Sequence, residues 1–121
     1  MKLTNSEMQV LNVLWLDSPL TVGQIIERVQ QQSEWHANTI KTLLTRLTGK
    51  QAVSRHKDGR RFFYTADVSR EEIVSIEADG FLKKFFNGQM APLIAHFAER
   101  KELSEADIAE IETILKELKK S

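Results

Sequence analysis

The chain contains no cysteine among its 121 residues, and it has only two prolines and five glycines. The absence of cysteine excludes a disulfide-stabilised scaffold, a thiolate metal site and catalysis by a thiol. No apolar run reaches the roughly 18 residues that a membrane-spanning helix requires, and no basic segment followed by an apolar one stands at the beginning. We therefore expect a soluble, globular, cytoplasmic protein without membrane insertion.

The usual signatures of enzymatic sites are lacking as well. The three histidines, His36, His56 and His96, lie too far apart for a metal-ligand spacing such as His-x-x-x-His. The glycines form neither a Gly-x-Ser-x-Gly motif nor a phosphate-binding loop. The acidic pair Glu71-Glu72 lies at a helix start, where the helix dipole explains it. We predict that the chain is not an enzyme and that it has no catalytic residue, no metal site and no cofactor.

The charges balance over the whole chain but not along it. Basic and acidic residues number 17 each, yet the net charge is −2 over residues 1–35, +6 over 36–64 and −4 over 65–121. Seven of the basic residues are concentrated in the 29 residues of the middle stretch. The neutral total is therefore compatible with a polyanionic partner, although a merely solvated basic face remains the alternative.

Helical periodicity and capping residues predict three helices in the first fifty residues. A capping box over residues 4–7 begins the first helix, which ends near Leu16, and Thr21 caps the second. The third helix runs from about Ala37 to Lys50. It places one set of apolar residues at helical spacing on a single face, namely Ile40, Leu43, Leu44 and Leu47.

The opposite face of the third helix is polar and basic, and it contains no acid. Short side chains at its centre allow close approach to base edges, while longer cations on its flanks reach a guanine edge or the phosphates. We predict that this face contacts DNA through Asn38, Lys41, Thr42, Thr45 and Arg46.

A basic hairpin is predicted next. Two strand-like runs, Val53 to His56 and Arg61 to Thr65, flank an Asp-Gly pair at 58–59. Three helices followed by a hairpin is the order of a winged helix-turn-helix module, which we assign to residues 1–69. Because the basic hairpin tip and the acid-free helix face belong to the same module, we predict double-stranded DNA as its partner. The cations of the tip are Lys57, Arg60 and Arg61.

Two alternatives stay open from the residues alone. A winged-helix module can also serve as a protein-interaction domain, in which case the basic face would bind an acidic protein partner. The apolar stripes of residues 70–121 can fold back on the first 70 residues instead of joining two copies of the chain.

Residues 70–121 predict a helical dimerisation region. Ser69 begins a long helix that ends at Asn87-Gly88, Pro92 opens a short helix, and Ser104 caps the last one. The region is near the lower limit for a self-sufficient core but carries four of the six phenylalanines, so a symmetric homodimer would cover its apolar stripes. The candidate dimer residues are Phe81, Phe85, Leu93, Phe97, Ile108, Ile111, Leu115 and Leu118. The predicted fold class is mainly α with a small β-wing.

Two stretches and a tryptophan resemble the BlaI/MecI/CopY family of bacterial repressors: Glu7 to Trp15, Trp35, and Thr39 to Leu47. The resemblance implies a homodimeric winged helix-turn-helix repressor that binds a palindromic operator and controls resistance genes. It also implies that the operator is contacted by Lys41, Thr42, Thr45 and Arg46.

The departures from that family carry expectations of their own. Its copper-responsive members have a C-terminal Cys-x-Cys motif, so the absence of cysteine excludes copper sensing by thiolates. In its antibiotic-responsive members a membrane sensor metalloprotease relieves repression after cleavage of an Asn-Phe bond, and the corresponding bond here is His96-Phe97. The family often has glycine where Ala52 stands, so we expect Gly49 to shape the exit from the third helix.

Overall fold

The computed structural model of the protein describes residues 1–120 and confirms the predicted fold class. The chain divides into two compact units, of which the first is Met1–Val74 and the second begins at Ser75. In chain order the elements are α1 (Asn5–Leu16), β1 (Leu20–Thr21), α2 (Val22–Gln30), α3 (Ala37–Gly49), β2 (Val53–Asp58), β3 (Arg61–Ala66), α4 (Arg70–Phe86), α5 (Met90–Glu99) and α6 (Glu105–Lys120).

Reciprocal capping fixes the start of α1 and of α2. The amide of Glu7 donates to Thr4 Oγ1 at 3.1 Å, and the amide of Thr4 donates to Glu7 Oε1 at 2.8 Å. Thr21 and Gln24 form the same pair of bonds at the start of α2, at 2.9 and 3.3 Å. Each box satisfies two amides that would otherwise lack a partner, which is why both helices begin where the sequence predicts.

The apolar faces of α1, α2 and α3 meet in the core of the first unit, and the four apolar residues predicted for α3 are all buried there. Trp15 packs against this core, and its Nε1 donates to the carbonyl oxygen of Val68 at 2.9 Å. Ile73, in the first turn of α4, belongs to the same core and is 2% exposed. The core of the winged module therefore extends past residue 69.

A three-stranded antiparallel sheet in the order β1-β3-β2 completes the first unit. The two-residue strand β1 was not predicted, because so short a segment has no alternation of its own. Asp58 pairs with Arg61, so the hairpin turn is only Gly59-Arg60 and both wing strands are longer than the sequence indicates. Gly59 has a φ of 66°, as the first central residue of a two-residue hairpin turn requires.

The exit from α3 depends on Gln51, so the expectation that Gly49 shapes it is wrong. Gly49 is the last helical residue, whereas Gln51 adopts a left-handed φ of 65°. The amide of Gln51 donates to the Thr48 carbonyl at 3.1 Å and that of Ala52 to the Leu47 carbonyl at 3.0 Å. This is a Schellman ending, in which the left-handed position is the one that favours glycine. Ala52 is fully buried and needs no such freedom.

The second unit consists of helices with little interior. Asn87 and Gly88 end α4 with positive φ values, and Ser104 and Asp107 cap α6 by reciprocal bonds between amide and side chain, as predicted. Pro92 does not open α5, which begins at Met90; proline is tolerated at this third helical position because its amide would lack a helical partner anyway. From residue 75 to residue 120, no side chain is buried.

Candidate nucleic-acid interface

The five predicted contact residues of α3 are all exposed on one side of that helix. The hydroxyl of Thr42 donates to the carbonyl of Asn38, and the hydroxyl of Thr45 to the carbonyl of Lys41, each at 3.0 Å. With their protons committed to the helix, these two oxygens can only accept hydrogen bonds, and the methyl groups remain for apolar contact. In a major groove they fit the amino groups of adenine or cytosine and the methyl group of thymine.

Six of the seven cations in the basic stretch lack a carboxylate partner within residues 1–120. A chain region with such a surplus creates a positive field that an anionic partner would neutralise. The six are Lys41, Arg46, Arg55, Lys57, Arg60 and Arg61.

Lys50 is the exception, because it forms an ion pair with Glu7. Its Nζ lies 2.6 Å from Glu7 Oε1 and also donates to the carbonyl oxygen of Lys2 at 2.8 Å. Lys50 caps the C-terminal end of α3, so the pair ties the end of this helix to the start of α1. It is therefore a structural residue rather than part of the basic surface.

The Glu7 carboxylate is fully buried. Burial raises the pKa of Glu7, but the hydrogen bonds from Lys50 and Thr4, together with the charge of Lys50, outweigh it and hold the pKa below its ordinary value. Its second oxygen, Oε2, is buried and accepts no hydrogen bond from the residues that the structure describes. Glu7 therefore depends strongly on its single cationic partner.

The predicted wing residues Lys57, Arg60 and Arg61 are exposed at the tip of the hairpin. Arg60 and Arg61 line a shallow cleft against the start of α2, together with Thr21, Val22, Phe62 and Tyr64. The structure thus places the wing cations and the polar face of α3 on the same unit, as a DNA-contacting surface requires.

Sequence reasoning missed Arg55 and Phe62 as candidate contact residues. The guanidinium of Arg55 lies 4.4 Å from the centre of the Phe62 ring, and the Nζ of Lys57 lies 5.9 Å from it. Alternation along β2 places Arg55 and Lys57 on one face, but only the register brings them to Phe62, since Lys57 pairs with Phe62 and Arg55 with Tyr64 across the hairpin.

The candidate dimer residues lie on the second unit and are exposed, apart from half-buried Leu93 and Ile111. Phe81 packs on Phe85 and Phe86 with ring centroids 5.2 and 5.9 Å apart, yet Phe85 remains 61% exposed. Further large apolar side chains outside this candidate set are exposed on the same unit: Ile76, Met90, Ile94 and Ile114. So much exposed apolar surface is unusual for a monomer.

Comparison with known proteins places the chain in a family. The sequence pattern of the penicillinase repressor family matches residues 3–117. The chain belongs to that family. It is 32% identical over 118 residues to the penicillinase repressor of Bacillus licheniformis, covering 98% of this chain and 92% of that protein. It is equally similar, over 114 residues, to the methicillin resistance regulatory protein MecI of Staphylococcus aureus, covering 94% and 93% of the two chains.

A solved structure of the same family resembles the first part of the chain. It is the solution structure of Bacillus licheniformis BlaI, in its monomeric form, in complex with the blaP half-operator. The match has a TM-score of 0.54 and 32% identity, and it covers 60% of this chain and 88% of that one. These relatives are transcriptional repressors and not enzymes, which confirms the family and the non-enzymatic function predicted from the sequence.

The bond that the family resemblance singles out, His96-Phe97, lies inside α5. The His96 ring makes edge contacts with Phe86 and Phe97, with centroids 6.2 and 5.3 Å apart.

Residues 1–120 contain no cluster of three or more histidine, cysteine, aspartate or glutamate side chains that could hold a metal ion. Within residues 1–120, no helix is both long and apolar enough to cross a membrane.

Proposed function

We propose that this protein is a repressor that binds a palindromic double-stranded DNA operator as a homodimer and controls resistance genes of the β-lactam type. The observation that carries the proposal is the exposed, acid-free face of α3, together with the six cations of residues 36–64 that form no ion pair within residues 1–120. Membership of the penicillinase repressor family supports the same function.

In this proposal α3 enters the major groove. Asn38 can pair with adenine, Arg46 can reach the two acceptors of a guanine, and the threonine oxygens between them accept from amino groups. Arg60 and Arg61, at the tip of the hairpin, bind phosphates of the DNA backbone. A BlaI monomer is described on a half-operator, which supports one winged module reading one half-site.

The second unit supplies the link between two modules. Its exposed phenylalanines and aliphatic side chains would be covered by the same surface of a second copy, which favours a twofold dimer. Two linked modules convert the second half-site contact into an intramolecular event. Like contacts in the operator should then be separated by about one helical turn or a multiple of it.

Two arginines should have different effects when they are replaced. Arg46→Ala is expected to weaken binding to the cognate site by about 1–3 kcal/mol per subunit, because it removes a bidentate hydrogen bond to a base, and to reduce discrimination against unrelated DNA. Arg60→Ala should weaken binding to all sequences similarly and flatten the salt dependence, because a phosphate contact releases counterions. Fluorescence anisotropy against selected and scrambled duplexes, at several salt concentrations, measures both effects.

Arg70→Ala is the matched control, since it removes an exposed arginine of the same unit that lies outside the proposed surface. If neither Arg46→Ala nor Arg60→Ala changed DNA binding, the basic face would serve another partner, and an acidic protein would be the candidate to test.

We further propose that repression is relieved by cleavage of the His96-Phe97 bond by a membrane sensor metalloprotease. Proteases act on extended chain, so α5 must open locally before this bond is reached. Coexpression with a membrane sensor metalloprotease that responds to β-lactams, under an inducing β-lactam, should yield a fragment that ends at His96. Mass spectrometry of the products measures it, and an intact chain under inducing conditions would end the proposal.

A further inference from the structure

A cleft of about 370 Å³ lies between the C-terminal half of α3 and the sheet of the first unit. We propose that it binds a phosphodiester group of the DNA backbone, with Arg55 as the phosphate ligand and Phe62 as the residue that positions Arg55. This inference rests on the proposed DNA binding and extends it to a cleft that shares only Thr45 with the polar face of α3 and no residue with the basic hairpin tip. The cleft is lined by Thr45, Thr48, Gly49, Arg55 and Tyr64.

The walls of the cleft suit a phosphate next to a base-reading helix. Thr45 belongs to the predicted base-contacting face, so the cleft begins where that face ends. At Gly49 a Cβ atom would meet nothing within 4 Å, which leaves the helix side of the cleft open. The half-buried Tyr64 carries a phenol that donates no hydrogen bond within residues 1–120, so it can serve as a second donor.

Among residues 1–120, Arg55 is the one cation that lines this cleft, and its guanidinium is already oriented. It stacks 4.4 Å from the centre of the Phe62 ring, which occupies the flat face of the group and leaves the N–H donors at its edge free. No carboxylate within residues 1–120 forms an ion pair with it. A planar donor edge without an anionic partner matches the geometry of a phosphate.

Phe62 holds a second cation on the same side of the wing. Lys57 Nζ lies 5.9 Å from the ring centre, and the register pairs Lys57 directly with Phe62. Two like charges attracted to one ring repel each other, so an anion near them relieves an unfavourable interaction. Phe62 is a large apolar side chain but is 41% exposed, so its ring contributes to cation–π contacts with Arg55 and Lys57 more than to the core.

The test uses the full chain and its selected operator duplex, with anisotropy titrations between about 50 and 200 mM salt. Arg55→Gln should lower affinity about tenfold or more and reduce the slope of log K against log salt by about 0.9 per subunit. Phe62→Leu keeps every charge but should lower affinity about two- to fivefold per subunit. Phe62→Trp preserves a ring for the cations and should restore the affinity.

The controls separate a positioning role from a structural one. All variants should unfold at the temperature of the wild-type protein, because Arg55 and Phe62 are exposed. In the Arg55→Gln background, Phe62→Leu should have a smaller further effect, because only its contact with Lys57 then remains, and Arg70→Gln alone should leave affinity unchanged. Wild-type affinity in both Arg55→Gln and Phe62→Leu, with Arg46→Ala still impaired, would overturn this inference and leave the proposed function standing. Failure of the wild-type protein to bind duplex DNA would overturn both.

Discussion

A chain truncated after Val74 is expected to bind a two-site operator about 10²–10⁴-fold more weakly than the full protein, while its winged module stays folded. The weaker binding follows from the proposed role of the second unit, which links two modules and makes the second half-site contact intramolecular. The truncation point matters because Ile73 is buried in the core of the first unit, whereas the residues after Val74 belong to the second.

A duplex with a single half-site provides the control for this truncation. On it the full and truncated chains should bind with similar affinity, since the DNA-contacting residues are unchanged. A second truncation, after Ser69, should instead lower the stability of the module by about 2–5 kcal/mol, because it removes a buried isoleucine from the core. Anisotropy, circular dichroism and sedimentation measure these effects. Equal affinity of the full and truncated chains for the two-site operator would contradict the linking role.

Those parts of the molecule that depend on local sequence were predictable. The reciprocal caps of α1, α2 and α6 each involve residues three positions apart, so a short motif specifies them. The buried and exposed faces of α3 follow from helical spacing alone. With 3.6 residues per turn, residues two positions apart, such as buried Ile40 and exposed Thr42, lie on opposite sides of the helix. The DNA-contact candidates on that helix were therefore the easiest to find.

Features that depend on tertiary packing were not predictable in the same way. Glu7 and Lys50 are separated by 43 positions, and nothing near either residue indicates that one neutralises the other. Arg55 and Phe62 meet only because the hairpin turn is two residues long, which sets the register that places them on one side of the wing. The exit from α3 was expected to depend on Gly49, whereas the hydrogen bonds of the ending place the left-handed residue at Gln51.

Replacing Lys50 by methionine is expected to lower the free energy of unfolding at pH 7 by about 3–5 kcal/mol, because it leaves a buried carboxylate without its cation. Glu7 is fully buried and its Oε2 already lacks a hydrogen bond among the described residues, so only the uncharged Thr4 amide, which donates to Oε1, would remain. Removing the other partner of the pair, by Glu7→Gln, should lower the free energy of unfolding by less. It leaves a lysine whose side chain is 35% exposed and can be solvated, and the amide oxygen can still accept from Thr4.

The double variant Glu7→Gln/Lys50→Met is the control, and it should recover much of the stability since neither charge then remains buried. Urea unfolding at one fixed protein concentration measures all four proteins. Additive effects in the two single variants and the double variant would contradict the pairing of Glu7 with Lys50.

The pH dependence gives a second, independent test of the same pair. In the wild-type protein the pKa of Glu7 is lowered in the folded state, so its stabilising contribution is present above the ordinary carboxyl pKa and is lost as the pH falls through the lowered value. In Lys50→Met the hydrogen bond and the charge that lower the pKa of Glu7 are gone, and burial raises that pKa. The cost of burying an unpaired carboxylate is then present at neutral pH and is relieved when the carboxylate takes up a proton. The stability difference between the two proteins should therefore shrink as the pH is lowered from about 7 to about 4. A difference that stayed constant over that range would mean that the destabilisation of Lys50→Met comes from packing around the end of α3 and not from the buried charge of Glu7.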